Sequence, residues 1–147
     1  MHPKVYDFNC SISSREWKFI EVNVKESEIQ EHIGEIRDLM HPSNTIMDES
    51  ICLAFWFASR GIGFCNGRRV LSTANVQFSG VGADELFAGY SRHRAQYYKN
   101  GWNGLRDELQ RDFDRIPWRN LGRDDRCISD NGKEASNFYS ESRISIS

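Results

Sequence analysis

The chain has 147 residues and a net charge of −2, with 39% hydrophobic and 27% charged residues. A chain of this length forms one domain, and its composition is ordinary for a soluble globular protein. The small net charge gives no indication of a nucleic-acid partner or of binding to an anionic membrane surface.

The N-terminal third of the chain predicts a strand followed by a helix. Apolar and polar residues alternate from Trp17 to Val24, which is typical of a strand with one apolar face. The segment KESEIQEHIGEIRDLM predicts a helix with Ser27 as its cap, and Pro42 stops it. Its apolar residues recur at helical spacing: Ile29, Ile33, Ile36 and Met40.

A second, more apolar helix is predicted from DESICLAFWFASRGIG. Asp48 and Glu49 favour its N-terminus through the helix dipole, and Gly61 and Gly63 indicate its end. Because the helix is apolar almost all round, we expect it to be buried on most sides. The next segment, ANVQFSG, is predicted as a short strand.

From Asp84 onward the sequence is mostly helical. DELFAGYSRHRAQYY and WNGLRDELQRDFDRI are predicted as helices, the second ending at Pro117. Leu105, Leu109 and Phe113 lie on one face of it. The alternation of elements indicates an α/β layered fold with a parallel sheet.

Other features of the sequence suggest a cytoplasmic protein with reduced thiols. The first ten residues contain no apolar core, which predicts no secretory signal. The run from Ile51 to Ala58 is too short to span a bilayer, so we expect no membrane partner. Four cysteines, Cys10, Cys52, Cys65 and Cys127, are scattered without metal-ligand spacing. Most basic residues are arginines, and ordinary ion pairs are the role we expect for them.

The stretch VQFSGVGADELFAGY places glycines and two acids between a strand and a helix. Gly80 and Gly82 would let backbone N–H groups close on a ligand, and a helix N-terminus suits phosphate. Asp84 and Glu85 would repel a bare phosphate, but they suit a phosphate that arrives with Mg²⁺. The pattern therefore indicates a Mg-nucleotide site. The alternative is a tight structural turn capped by two acids.

SGVGADELFAGY closely resembles the S-G-x-G-[SA]-D-E-x-F-x-G-Y loop of glutamine-dependent asparagine synthetases. HPSNTIMDESICLAFWFASRGIG, GADELFAGYSRHR and RNLGRDDRCISDNGKEA resemble a divergent eukaryotic branch of that family. The resemblance runs from about Trp17 to Ala135. It divides the chain into an N-terminal extension (1–16), a partial synthetase-like domain (17–135) and a Ser-rich tail (136–147) that we expect to be disordered.

The family resemblance implies a partial HUP-like parallel sheet of the ATP pyrophosphatase type, with a mostly helical C-terminal half. It implies that aspartate is activated by ATP and Mg²⁺ as an acyl-adenylate, which ammonia derived from glutamine in a separate domain then converts to asparagine. ATP and aspartate are the small-molecule partners implied.

The resemblance also implies roles for individual residues. Ser79 and Gly80 would contact the nucleotide, Gly82 would allow close approach, and Asp84 would serve Mg²⁺ and pyrophosphate. Glu85 would support Asp84 without binding the metal directly, or it would cap the helix. Tyr90 lies near the site or is simply packed. For a second block (Arg123, Asp124, Asp125, Glu134) structural ion pairing is the role we expect, and for Asp48 and Glu49 helix capping.

The sequence also departs from the family pattern. His2, not cysteine, follows Met1, so the glutaminase nucleophile is missing, and no S-G-G-x-D-S pyrophosphate loop occurs. Val81 stands where true synthetases usually carry glutamate. After Ala135 the expected continuation and the C-terminal lysine segment do not appear. The chain is therefore interpreted as a middle section that lacks the glutaminase domain and the rest of a longer polypeptide.

Two hypotheses follow for the function. In the first, the chain is a piece of an amide-forming ligase, inactive in isolation, whose catalytic residues the sequence does not identify. In the second, it is a non-catalytic nucleotide-binding or protein-interaction remnant of the family.

Overall fold

The computed structural model describes residues 17–137. Its elements follow in the order α1 (Glu26–Met40), α2 (Ile46–Ser59), β1 (Ile62–Cys65), β2 (Arg68–Leu71), β3 (Val76–Ser79), α3 (Ala83–Leu86), α4 (Ser91–Ile116), a π-helical turn (Pro117–Leu121), α5 (Gly122–Ser129) and β4 (Glu134–Asn137). This confirms the mixed α/β class. Within residues 17–137, no helix is long and apolar enough to cross a membrane.

Helices α1, α2 and α5 enclose the hydrophobic core. Its buried residues come from all three helices: Ile36, Met40, Cys52, Trp56, Phe57 and Cys127. Polar contacts fasten α5 to the other two helices. Trp56 Nε1 donates a 2.7 Å hydrogen bond to Asp130, and Arg126 donates to the carbonyl oxygens of Leu39 and His41 at 2.6 Å. Helix α5 thus packs over α1 and α2.

Helix α1 occupies the predicted span, but its predicted cap is wrong. Lys25 is the N-cap residue and makes no side-chain cap, whereas Ser27 lies inside the first turn. Helix α2 begins at Ile46, two residues earlier than the acids suggested. Thr45 caps it by accepting a 3.1 Å hydrogen bond from the backbone N–H of Asp48.

The prediction that α2 is buried on most sides is confirmed for residues 51–59. Cys52, Trp56 and Phe57 face the core, and of this stretch only Ala54 and Ala58 are exposed. In the first turn, by contrast, Ile46 and Met47 are exposed. The helix ends at Ser59, and Gly63 belongs to strand β1 rather than to a helix end.

Strands β1 and β2 form an antiparallel hairpin that the sequence analysis did not predict. Asn66 and Gly67 both take positive φ (51° and 76°), as a two-residue hairpin turn of this kind requires. The predicted strand from Trp17 to Val24 is wrong, because only Glu21 makes a bridge, to Phe64. One bridge does not form a strand.

Strands β3 and β4 pair in parallel, with Val76 opposite Glu134 and Ser79 opposite Asn137. Strand β3 matches the prediction. Strand β4 includes residues 136 and 137, the first two of the predicted tail; residues 138–147, the N-terminal extension and Cys10 lie outside the described part of the chain. The parallel pairing predicted for the sheet is present in this pair.

The C-terminal half is mostly helical, as predicted, but it is divided differently. Ala88, with φ of 57°, and Gly89 separate the single turn α3 from α4. Gly101 (φ 63°, ψ −154°) kinks α4 where two helices were predicted to meet. Pro117 ends α4, yet the backbone stays helical through the π-helical turn into α5.

Candidate functional site

The glycine loop, residues 79–84, connects β3 to α3 at the C-terminal end of a parallel strand. Ser79 is the last residue of β3, and Gly82 is the N-cap of α3 with φ of 90°. The N–H groups of Val81 and Gly82 donate no backbone hydrogen bond within residues 17–137. These N–H groups are thus unpaired with the backbone at a place where parallel sheets commonly bind a ligand.

The two predicted glycines of the loop differ in whether the fold requires a glycine at that position. Gly82 is buried and has a backbone conformation that disfavours any other residue. Gly80 has no positive φ, and a Cβ built there would meet nothing within 4 Å. The fold therefore explains Gly82 but not Gly80.

Asp84 is exposed at the start of α3, and Gly89 leaves room for its carboxylate. A Cβ on Gly89 would stand 2.0 Å from Oδ1 of Asp84. The N–H of Gly89 also donates a 2.8 Å hydrogen bond to the carbonyl oxygen of Asp84. The carboxylate that the sequence assigns to Mg²⁺ therefore stays at the surface, packed against a glycine.

Glu85 faces inward, in contrast to Asp84. It is 6% exposed and accepts a 3.1 Å hydrogen bond from the Tyr90 hydroxyl. Burial and the Glu85 carboxylate raise the pKa of Tyr90 to about 12, so the hydroxyl remains a donor at neutral pH. The structure thus connects Glu85 and Tyr90, which the sequence analysis treated separately.

The expected contribution of a helix dipole is small at this loop. Helix α3 has only four residues, and Ala88 interrupts the chain before α4 begins. A macrodipole needs several aligned peptide units, so a single turn supplies little of it. Any anion at the loop would be held by N–H groups and a cation.

Metal binding by protein side chains alone is not indicated in the described part of the chain. No three His, Cys, Asp or Glu side chains within residues 17–137 converge on one point. Cys52, Cys65 and Cys127 are free thiols. A Mg²⁺ ion at Asp84 would therefore take most of its remaining ligands from phosphate and water.

The second block forms ion pairs at two of its four positions. Arg123 is 4% exposed and donates from Nε and Nη2 to Oδ1 of Asp124 at 2.7 Å, and its Nη1 pairs with Asp48. Asp125 and Glu134 are exposed and form no ion pair within residues 17–137. The expectation of ion pairing is confirmed for Arg123 and Asp124 only.

The pKa values of the two carboxylates around Arg123 shift in opposite directions, although burial acts upward on both. Burial raises the pKa of Asp124, and the Arg123 guanidinium only partly opposes it. At Asp48 burial also acts upward, but hydrogen bonds from Thr45 and Arg123 prevail and lower the pKa. Asp48 therefore both occupies the first turn of α2 and binds Arg123. Glu49, also in that first turn, pairs with Arg37 at 2.6 Å.

The buried face of α4 carries carboxylates. Leu105, Leu109 and Phe113 are half-buried, whereas Glu108 and Asp112 are buried. The buried Asp112 carboxylate is held by three donors: Arg92 (Nη2, 2.5 Å), His93 (Nε2, 2.8 Å) and Arg115 (Nη2, 2.5 Å). These hydrogen bonds outweigh the upward effect of burial and lower the pKa of Asp112.

A polar cavity of about 320 Å³ lies beside this face. We call it the arginine cavity; its charged lining residues are Asp48, Glu85, Arg92, Asp112, Arg115, Arg119 and Arg123. Glu85 connects it to the glycine loop. The sequence analysis missed this site, although Arg111, Arg115, Arg119 and Arg123 recur every four residues, a spacing that places them along one side of a helix.

A second cavity, of about 400 Å³, runs along β3. Its lining is mostly apolar and includes Ile20, Val76 and Phe78, with Lys133 as its charged residue. Nothing in this lining suits a catalytic or phosphate-binding role.

Comparison with known proteins identifies a consistent set of relatives. The family model described as asparagine synthase matches residues 16–140. The chain is 49% identical over 127 residues to the mouse protein named asparagine synthetase domain-containing protein 1, and 47% identical to the human protein of that name. A Drosophila melanogaster asparagine synthetase domain-containing protein is 44% identical over 132 residues.

These matches cover most of this chain but a small part of each relative. The aligned region is 83% of the chain and 20% of the mouse and human proteins, and 85% and 22% for the Drosophila protein. The chain thus spans about a fifth of the length of these relatives. No solved structure matches it significantly.

Proposed function

The chain belongs to the asparagine synthase family, and from that premise we propose that its glycine loop binds the phosphates of Mg-ATP. The loop then serves a domain that activates aspartate as an acyl-adenylate and forms an amide with ammonia derived from glutamine. In this proposal β3 and β4 are two strands of a larger HUP-like parallel sheet, and the protein works in the cytoplasm.

The observation that carries the proposal is the environment of Gly80. Neither backbone strain nor a neighbouring atom requires glycine there, because φ is not positive and a Cβ would point into open space. A glycine in such a place leaves room for a ligand to approach the backbone closely. The unpaired N–H groups of Val81 and Gly82 lie next to it.

The other residues of the loop fit Mg-ATP by their chemistry. Asp84 presents an exposed carboxylate, which is the kind of ligand that Mg²⁺ takes when most of its other ligands are phosphate and water. The Ser79 hydroxyl can bond to a phosphate oxygen. Glu85 acts from behind, because its hydrogen bond with Tyr90 directs it away from a direct metal contact.

Amide formation requires more than this chain supplies. The chain contains no S-G-G-x-D-S loop, and its matched region is a fifth of the mouse relative. Catalytic groups that act as a unit lose most of their rate together. We therefore assign the 147 residues nucleotide binding but no complete reaction by themselves, with the glutaminase domain and the rest of a longer chain as partners.

Val81 favours a second candidate function. It places an apolar, half-buried side chain where true synthetases usually carry a carboxylate. A domain that binds the nucleotide without catalysing amide formation would tolerate this change. Both candidates share the nucleotide-binding loop.

The test of nucleotide binding is calorimetric titration of the chain with ATP, with and without Mg²⁺. We expect wild type to bind in a Mg²⁺-dependent way and Gly80→Ala to bind at least about tenfold more weakly, because its methyl group would block the close approach of a phosphate to the backbone. Gly34→Ala is the matched control, since its Cβ also meets nothing within 4 Å. If Gly80→Ala and Gly34→Ala bind ATP with equal affinity, or if binding does not depend on Mg²⁺, the loop is only a structural turn.

A further inference from the structure

We propose that the arginine cavity is a second binding site, which takes a small oxyanion, a phosphate or carboxylate compound, independently of Mg²⁺ and of the glycine loop. This goes beyond the proposed nucleotide site, because it concerns different residues. The geometry of the arginines, their unused donors and the charge of the cavity support this proposal.

The arginines of the cavity share one continuous helical path. Pro117 and Gly122 both have right-handed helical φ and ψ, so the chain does not change direction between α4 and α5. Arg115, Arg119 and Arg123 are four residues apart along this path and all line the cavity. Arg92, from the start of α4, joins them with its guanidinium 3.9 Å from the centre of the Tyr90 ring.

Several donors in the cavity remain unused. Arg119 donates no hydrogen bond and makes no ion pair within residues 17–137, although its charge helps to lower the pKa of Asp48. Arg92 donates from Nε and Nη2, and Arg115 likewise. In the described part of the chain Nη1 of each of these two has no acceptor.

The carboxylates of the cavity, in contrast, are already engaged. Asp112 accepts from Arg92, His93 and Arg115. Asp48 is paired with Arg123, and Glu85 accepts from Tyr90. The lining has four arginines against three carboxylates, a formal charge of +1. Glu108 and Asp124, outside the lining, also pair with Arg92 and Arg123, and the groups left free in the lining are donors. Such a lining favours an anion over a metal ion.

The size of the cavity and its guanidinium forks indicate a small ligand of this class. A volume of about 320 Å³ lies at the lower end of the roughly 300–1,000 Å³ typical of ligand pockets. Arginine binds carboxylate and phosphate oxygens in pairs, so both chemistries fit. Met47, Ile51 and Ile116 give the cavity an apolar side for a carbon backbone.

The experiment uses pyrophosphate and succinate as separate probes, titrated calorimetrically into the 147-residue chain in EDTA. We expect binding of at least one probe and at least about a tenfold rise in its Kd in Arg119→Gln, which removes one charged donor. Arg119→Lys should recover part of the affinity. Arg106→Gln is the matched control, because Arg106 is 78% exposed on α4 and lies outside the cavity.

Each outcome decides a separate question. Binding of pyrophosphate alone identifies a phosphoryl ligand, binding of succinate alone a carboxylate ligand, and binding of both supports the shared oxyanion chemistry. The arginine cavity should bind its probe in EDTA, whereas the glycine loop should bind ATP in a Mg²⁺-dependent way, so the two proposals can fail separately. The proposal is overturned if neither probe binds, or if the Kd of the bound probe is unchanged in Arg119→Gln.

Discussion

Gly89 leaves room for the Asp84 carboxylate because it has no side chain. Oδ1 of Asp84 lies where a Cβ on Gly89 would come within 2.0 Å of it, and the Gly89 N–H binds the carbonyl oxygen of Asp84 at 2.8 Å. Asp84 begins the one-turn helix α3 and Gly89 follows its end. The position of the proposed Mg²⁺ ligand therefore depends on a residue that would never touch the metal.

Gly89→Ala should displace the Asp84 carboxylate and weaken Mg²⁺-dependent ATP binding as much as Asp84→Ala does. The new methyl group occupies the present position of Oδ1, so the side chain must rotate away. Calorimetric titrations with and without Mg²⁺ measure the effect. In EDTA, Asp84→Ala should bind ATP at least as tightly as wild type, because it removes a carboxylate that repels bare phosphate. Retained Mg²⁺ dependence in Gly89→Ala would show that Asp84 does not bind the metal.

Gly82→Ala should destabilise the fold, and Gly80→Ala should not. Gly82 has φ of 90°, where a side chain costs about 1–2 kcal/mol, whereas Gly80 has neither a positive φ nor a neighbour for a Cβ. Urea denaturation of the two variants and wild type measures the difference in the free energy of unfolding. A destabilised Gly80→Ala would mean that the fold, rather than a ligand, requires this glycine.

Asp112→Ala should cost about 2–3 kcal/mol of unfolding free energy, because it removes hydrogen bonds from two arginines and a histidine at a buried position. Asp114→Ala is the control on the same helix. Asp114 is exposed and accepts only from Gln110, at 2.9 Å. We expect its unfolding free energy to stay within about 0.5 kcal/mol of wild type. Similar losses in the two variants would mean that the Asp112 contacts contribute little.

The contribution of Asp112 to stability should disappear in acid. Its pKa is lower in the folded state than in the unfolded chain, so the unfolded state binds more protons as the pH falls. The stabilisation is complete above the unfolded pKa of about 3.9 and is lost as the pH falls through the lower folded value.

The difference in unfolding free energy between wild type and Asp112→Asn measures this effect. It should be constant from about pH 6 to 7 and shrink below about pH 4. Subtracting the two curves cancels the opposite effect of Asp124, whose pKa is raised by burial. A difference that stays constant down to about pH 3 would contradict the assignment.

Local patterns allowed the sequence to predict some elements and not others. Helix α1 and strand β3 depend on short-range periodicity and are where the pattern placed them. The predicted strand at Trp17–Val24 failed because a strand needs a series of β-bridges, and in the described part of this stretch only Glu21 forms one. The alternation of apolar and polar residues within one segment does not show which distant segment it pairs with.

The candidate site shows the same division. The glycine motif was visible in the sequence, but only the backbone angles and the space around each Cβ separate the role of Gly82 from that of Gly80. The four-residue spacing from Arg111 to Arg123 was equally visible. Its meaning depended on where Asp48, Glu85 and Asp112 lie, which the sequence did not specify.

The parallel pairing of β3 with β4 also affects the order of events during synthesis. Strand β3 leads directly into the glycine loop, but its partner Glu134–Asn137 is translated only after the whole of α4 and α5. Closing such a long stretch of chain carries an entropy cost, so this contact forms slowly and late. While the ribosome is still making α4, β3 therefore lacks the parallel strand that pairs with it in the folded domain.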